Sequence, residues 1–314
     1  MGISAFYNVI GWLILAFALL LIYFQLAKRF QIMDIPNERS SHSHTTIRGA
    51  GIIFPVVFLL SCFYEGFDWW YFVGGLALVA LISFLDDLKP LKPRWRGLGY
   101  GLGIVLLLAD VEMPIYGKLC ACVLIFGILN AYNFMDGING ITALYSLVTV
   151  GSLYWIKPFV PVEGLGMALL AFAWFNVRKR ARCFSGDVGS ISIAFILCFA
   201  ILNLMLLSGH WEYVLLLVIY GLDSVATIVL RIIRKEKIWD AHRSHFYQYL
   251  ANERKWTHVS ISALYALVQL GLNVLLIRGE FHLTLCLFIV IILMYSWSRI
   301  KLEGYYKLLV NYKG

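Results

Sequence analysis

The sequence predicts an all-α polytopic membrane protein of about eleven transmembrane helices, and three observations predict it. Of 314 residues, 61% are apolar and 14% charged, whereas soluble domains average about 45–50% and 25%. Apolar runs approaching the ~20 residues that cross a bilayer recur from end to end. The basic residues also sort by loop. With eleven spans and the N-terminus outside, all 26 Lys and Arg residues except Lys118, Lys157 and Arg278 fall on the cytoplasmic side, as the positive-inside rule requires. The composition excludes a disordered chain, a collagen and a small disulfide scaffold. The net charge of +8 is therefore a topology signal, not a nucleic-acid-binding one.

In chain order the predicted spans are Phe6–Ala27, Gly51–Tyr64, Tyr71–Leu85, Leu98–Ala109, Leu119–Leu129, Ile141–Ile156, Val162–Phe175, Ile191–Leu207, Tyr213–Ile233, Val259–Ile277 and Phe281–Trp297. Each is bounded by charges or turn-rich breaks. Several are shorter than about 17 residues, so they must recruit flanking polar residues or kink, as Pro55 would allow. The N-terminus is then outside and the C-terminus inside. The basic pair Lys28-Arg29 follows the first apolar run instead of preceding it, so that run reads as a retained anchor and not a cleaved signal. The six cysteines, mostly within spans, fit no zinc or disulfide framework. No repeat or linker marks a boundary, and residues 1–314 read as one membrane domain.

Charges are few, so where they sit is informative. Five polar segments fall on the predicted cytoplasmic side. Asp86 and Asp87 end the third span; adjacent carboxylates about 4 Å apart repel by ~4 kcal/mol at an effective dielectric near 20, which a divalent cation or a cationic clamp relieves. Asn130, Asn133 and Asp136 follow one another at i, i+3 spacing before Gly137, Asn139 and Gly140, and hard oxygen donors of this kind suit Mg²⁺ and the polar groups of a nucleotide. The run Arg178–Ser190 carries four basic residues, then Phe184 and Gly186-Asp187-Val188-Gly189 at a helix start, where free amides favour anionic oxygens. His242, Arg243 and His245 present two imidazoles and a guanidinium suited to a pyrophosphate. The hydroxyl-rich stretch from Asp34 to Gly51, with Arg48 near its end, is suited to an anionic group at the membrane surface. Asp223 alone falls in mid-span, where an ionisable residue must face the bundle interior and find a partner.

In this order and at these spacings the five segments resemble the polyprenyl-phosphate N-acetylhexosamine-1-phosphate transferases, glycosyltransferase family 4. The resemblance runs from Asp34 to Gln248, and Ala241–Gln248 is most similar to the branch that initiates O-antigen synthesis. It implies a Mg²⁺-dependent enzyme, with Mn²⁺ as a substitute, in the bacterial inner membrane. The enzyme would transfer HexNAc-1-phosphate from a UDP-sugar, UDP-GlcNAc or a 6-deoxy-HexNAc relative, to undecaprenyl phosphate, releasing UMP as the first membrane step of lipopolysaccharide or another surface polysaccharide. By the same resemblance Asp187 and Asn133 would hold the metal, and Asp86 and Asp87 would handle the lipid phosphate as catalytic residues. Asp136, Asn139 and Phe184 would lie near the uridine, and Arg48, His242, Arg243 and His245 would contact substrate. Two features depart from the family's pattern: Thr45, Ile47 and Ala50 replace prolines and a glycine of the first loop, and Asn139 stands where the muramoyl-peptide branch has an acid. The second departure argues against muramoyl-pentapeptide as substrate. A membrane transporter or flippase of lipid-linked substrates is the competing class, a homodimer is compatible with the apolar exterior, and no nucleic-acid partner is expected.

Overall fold

The computed structural model describes residues 3–36, 44–156, 160–237, 243–304 and 308. Every one of the eleven apolar windows is helical. They form α1 (Ile3–Arg29), α2 (Ile53–Tyr64, entered through a 3-10 turn at Ala50–Ile52), α3 (Trp70–Leu88), α4 (Pro93–Ala109), α5 (Ile115–Met135) and α6 (Ile141–Ile156). There follow α7 (Glu163–Asn176), α8 (Gly186–Ser208), α9 (Val218–Ile233, preceded by 3-10 turns at Trp211–Leu217), α11 (His258–Ile277) and α12 (Phe281–Glu303). A short helix, α10 (Phe246–Asn252), lies in the loop that carries the His and Arg motif. Pro55 does not kink α2: it sits in the first turn, where an amide has no intrahelical partner to lose. Among the described residues, seven helices are long and apolar enough to cross a bilayer, the 3-10 turns before α9 counted with it, and α2 and α6 are shorter apolar helices. The protein is an all-α polytopic membrane protein.

The core is arranged around α8, which is buried over most of its length from Val188 to Ile201. It packs against α3 and α5, α4 lies on α3, α1 and α2 lie on α7, and α11 lies on α6. The outer helices α1 and α12 are mostly exposed, as expected where the surrounding solvent is lipid and an apolar exterior costs nothing. In α9 the usual polarity is inverted. Asp223, Ser224, Thr227 and Arg231 are buried at helical spacing while Val225, Val229 and Ile232 face outward. At its start Gln269 of α11 donates to the carbonyl of Leu215 at 2.8 Å and accepts from the amide of Ile219 at 3.1 Å, pairing backbone groups that the 3-10 geometry would otherwise strand in hydrocarbon.

Because consecutive helices run antiparallel, the polar motifs meet at one end of the bundle, at the C-terminal ends of α3, α5 and α7 and the N-terminal ends of α4, α6, α8 and α11. A two-stranded ribbon pairs β1 (Met33–Asp34) with β2 (Thr46–Ile47) antiparallel. The chain beyond β2 is then zipped to the segment before α8: Phe184 N donates to Ile47 O at 2.7 Å, Ala50 N to Phe184 O at 3.0 Å and Gly51 N to Ser185 O at 2.9 Å. This register needs backbone against backbone. A Cβ on Gly51 would stand 2.3 Å from the Cα of Gly189, closer than atoms pack. We predict that Gly51→Ala separates these segments and lowers the melting temperature of the detergent-solubilised protein by several degrees; an unchanged melting curve would show that the contact yields freely.

Candidate active site

Three carboxylates and two guanidinium groups form the centre. Asp87, at the end of α3 with a side chain sealed from solvent, reaches across to the start of α8, where it accepts the amides of Asp187 at 2.9 Å and Val188 at 3.0 Å. Its Oδ1 also accepts Nε of Arg48 at 2.8 Å. Asp86 points the other way, accepting Leu91 N at 2.6 Å and Arg96 Nη1 at 2.7 Å. The repulsion inherent in adjacent carboxylates is thus relieved within the chain by one arginine for each acid. Gly186 makes the crossing possible: its φ is +72°, and a Cβ there would lie 2.3 Å from an Asp87 carboxylate oxygen.

Asp187, the third carboxylate, is held loosely. Arg96 Nη1 and Asn133 Nδ2 approach it at 3.4 Å and Arg48 Nη2 at 3.5 Å, near the outer limit for a hydrogen bond. Its side chain keeps 15% exposure, against 6% for Asp86 and none for Asp87, and it lines a cavity of about 260 Å³ with Asp34, Arg48, Asn133, Asp136, Phe184 and Gln248 among the walls. Burial disfavours the charge on Arg48, but Asp87 and Asp187 outweigh it and raise its pKa above the ordinary arginine value, so it stays a cation.

Asp136, just past the end of α5, accepts hydroxyl hydrogen bonds from Thr142 and Ser185. Burial pushes its carboxyl above the usual range despite these donors. Beside it, Asn139 spends its amide hydrogens on the backbone: Nδ2 donates to the carbonyl of Arg178 at 2.9 Å and to that of Lys179 at 3.4 Å. Phe184, Asn139 and His258 are shared with a second, larger cavity of about 970 Å³, whose walls include Lys179, Arg180, Arg243, Lys255 and Trp256.

This end of the bundle is covered by the model of glycosyl transferase family 4, which matches residues 69–205 and so takes in Asp86, Asp87, Asn133, Asp136, Phe184 and Asp187. Over these residues the chain matches glycosyl transferase family 4. Among its relatives is a phospho-N-acetylmuramoyl-pentapeptide-transferase of Enterococcus hirae, 29% identical over 70% of this chain and 79% of the relative. An enzyme of the same name from Streptococcus thermophilus strain CNRZ 1066 is 27% identical over 58% of this chain and 62% of its own length. One from Deinococcus radiodurans is 35% identical over 26% of this chain. Seven long apolar helices among the described residues make this a multi-pass membrane protein, and the match indicates a phosphoglycosyltransferase.

Of the residues singled out in the sequence, Arg48, Asn133, Asp136, Asn139, Phe184 and Asp187 line the first cavity. Asp86 and Asp87 sit behind it and act on it through Arg96 and Arg48. Arg243 lines the second cavity, whereas His245 lines neither: it is buried with Nδ1 3.6 Å from Asp223. His242 lies outside the described residues. Asn130 turns back onto its own helix, donating to Phe126 O at 2.7 Å. Sequence reasoning missed Arg96, absorbed among the basic residues of a topology loop, and two bracing residues. Asn176 accepts Gly140 N at 2.7 Å and donates to Cys183 O at 2.9 Å, and His258 Nδ1 accepts Asn139 N at 3.3 Å. An Asn ending an apolar helix next to a Gly-rich partner was the one available signal.

Two outcomes follow. Arg96→Ala strips Asp86 of its partner and leaves a buried carboxylate uncompensated, so turnover should fall by at least tenfold; near-normal turnover would remove Arg96 from the site. Asp136 binds its proton more tightly in the folded than in the unfolded state. Its contribution to stability is therefore greatest at low pH and is lost as pH rises through its raised folded-state pKa. Asp136→Asn abolishes that loss, so melting temperatures followed from pH 4, near the unfolded-state value, up to pH 8 should show the variant gaining on the wild type as pH rises; a constant difference over that whole range would contradict the raised pKa.

Proposed function

We propose that the protein transfers HexNAc-1-phosphate from a UDP-sugar, UDP-GlcNAc or a 6-deoxy-HexNAc relative, to undecaprenyl phosphate, giving undecaprenyl-diphospho-HexNAc and UMP at the cytoplasmic face of a bacterial inner membrane. The topology that goes with this reading is N-out, C-in. One observation carries it: Asp187, the carboxylate least committed to partners, opens into a cavity that also offers a cationic arginine, an amide and an aromatic face. A nucleoside diphosphate needs that set, namely counter-charge and an oxygen-bound metal for its phosphates and a stacking surface for its base.

Among the described residues no group of three or more His, Cys, Asp or Glu side chains is arranged to hold a metal. Mg²⁺ does not require one, because it keeps several waters and is commonly held by one or two carboxylates together with substrate phosphates. Asp187 and the amide oxygen of Asn133 are hard donors that fit this role. Bound there, the ion would neutralise charge on the diphosphate.

The remaining work falls to the chain's own residues. Phosphoryl transfer between polyanions depends mainly on position and charge. Arg48 and Arg96, each fixed by one carboxylate of the pair, flank Asp187 from opposite sides, where a transferring phosphate is neutralised. The lipid phosphate is a monoester whose second pKa is near 6, so it arrives as a nucleophile without a strong base. Asp86 and Asp87 then serve by orienting the guanidinium groups that receive it. Phe184 and Asp136 line the cavity that would take the uracil and ribose. The oxygen of the lipid phosphate attacks the sugar-bearing phosphorus, the bond to the UMP oxygen breaks, and UMP leaves with that electron pair.

The donor is proposed as a simple HexNAc and the pathway as a surface polysaccharide such as O-antigen, despite relatives named for muramoyl-pentapeptide. Asn139 supports this: its amide hydrogens tie the Gly137–Gly140 turn to the carbonyls of Arg178 and Lys179, bonds that a carboxylate at this position cannot donate. The test is UMP release by purified protein with undecaprenyl phosphate and a panel of UDP-GlcNAc, UDP-GalNAc, 6-deoxy UDP-HexNAc and UDP-muramoyl-pentapeptide. Release from a simple HexNAc donor, dependent on the lipid and lost by more than tenfold on chelation, is expected. Release only from the muramoyl-pentapeptide donor would overturn the donor assignment, and none at all would favour a transporter.

A further inference from the structure

The buried acid of α9 that lines neither cavity is joined to the site by a chain of hydrogen bonds. Asp223, in the second turn of α9 and fully buried, receives donors from three other helices. Its Oδ1 accepts the amide of Phe246 at 3.0 Å and the hydroxyl of Tyr295 at 3.1 Å, and its Oδ2 accepts the amide of Tyr247 at 3.3 Å and the hydroxyl of Tyr265 at 2.6 Å. Thr227, one turn further along α9, adds a bond at 3.3 Å. Helix α10 has a local capping box between His245 and Gln248, and its first amides are capped in addition by a carboxylate 23 residues earlier in the chain, on a different helix. A helix usually takes its capping oxygen from the residue at its own start. An ionised group this deep persists only where its partners compensate for lost water.

A second anchor lies beside it. Arg299 of α12, only 2% exposed, donates to Thr227 Oγ1 at 3.2 Å, to the hydroxyl of Tyr295 at 3.1 Å and to the carbonyl of Ser244 at 2.8 Å. Acid and base thus hold successive points of one strand of chain: Ser244 by its carbonyl, Phe246 and Tyr247 by their amides. That strand reaches the site in both directions. Arg243 lines the second cavity, Gln248 the first, and Tyr247 donates its hydroxyl to Phe134 O at 2.8 Å, two residues before Asp136. The fit at that point is tight, since a Cβ on Gly137 would stand 2.2 Å from the Tyr247 hydroxyl oxygen.

We propose that Asp223 is a positioning residue for the transfer reaction: from inside the bundle it fixes the segment Arg243–Gln248 against the nucleotide-sugar cavities and so sets the affinity for the UDP-sugar. This rests on the reading of those cavities given under Proposed function. The lipid phosphate is received on the side of Arg96, which lines neither cavity and whose bonds go to Asp86 and Asp187, so Asp223 acts mainly on the UDP-sugar. A residue that only held the bundle together would change the amount of active enzyme and leave the affinity of each active molecule unaltered.

The experiment measures KM for the UDP-sugar and for undecaprenyl phosphate, kcat and melting temperature for wild type, Asp223→Asn and Asp223→Ala. Asparagine keeps the shape and one acceptor oxygen, so it tests the charge without emptying the site. The expected result is a rise of about tenfold in KM for the UDP-sugar in Asp223→Asn, the scale of losing a charge-assisted hydrogen bond, with a larger rise in Asp223→Ala and KM for the lipid within twofold of wild type. Complete loss of turnover in Asp223→Asn at the wild-type melting temperature, with weakened UDP-sugar binding by titration, would support the same role. Unchanged KM for the UDP-sugar, equal rises for both substrates, or failure of both variants to accumulate would overturn it and leave Asp223 a folding residue. Wild-type protein that releases no UMP fails the functional reading itself, a result recognisable before any variant is made.

Discussion

The arrangement depends on one carboxylate crossing between two helices. Asp87 leaves the end of α3, accepts the first amides of α8 and pairs with Arg48. A helix start carries partial positive charge and unpaired amides, and an acid supplied from a neighbouring helix satisfies both at the level where the bundle meets water. Other local features follow from that contact. Gly186 must adopt a left-handed backbone, Gly51 must lie against Gly189, and the strand after β2 must run alongside Phe184 and Ser185. Without the crossing, α3, α8 and the first loop would have no common reference point.

The crossing also divides labour among three nearby acids. Asp87 accepts three short bonds, Asp86 is fixed by Leu91 and Arg96, and Asp187 receives only long bonds to its side chain and faces the cavity. In a region of low dielectric, charge separation over a few ångströms is costly or rewarding by several kcal/mol. Holding two acids rigidly so that two arginines converge on the third creates a preorganised field without binding anything first. The same logic operates where the buried Asp223 and Arg299 order the loop that carries α10. Both cases bury an ionic group within the protein and use it to fix polar backbone.

Much of this was legible in the sequence because hydrocarbon imposes simple rules. Eleven apolar windows appear as eleven helices, and six of the residues picked from polar motifs line one cavity. The helix ends were less legible: α5 and α8 extend into residues whose polarity hid them, and α10 sits in a loop too polar to read as helix. The arginines were hidden for a related reason. Arg96 belongs to a basic flank that topology alone explains, so nothing in the sequence separates it from Lys92 or Arg94; only the fold shows its guanidinium between Asp86 and Asp187. His245 shows the converse. Its motif suggested a phosphate contact, but the imidazole faces Asp223, because partners from α9 lie beyond the reach of local pattern. Asn176 and His258 act by bracing backbone, a role without a sequence signature.

The central claim is that Asp87 builds the site and Asp187 acts in it, and the most direct measurement is a paired comparison of Asp87→Asn and Asp187→Asn for melting temperature and turnover in the same detergent. Asp187→Asn should melt as the wild type does or higher, with turnover reduced at least a hundredfold, while Asp87→Asn should lose both stability and turnover. An Asp187→Asn protein that turns over within tenfold of wild type, or an Asp87→Asn protein with an unchanged melting temperature, would contradict the account.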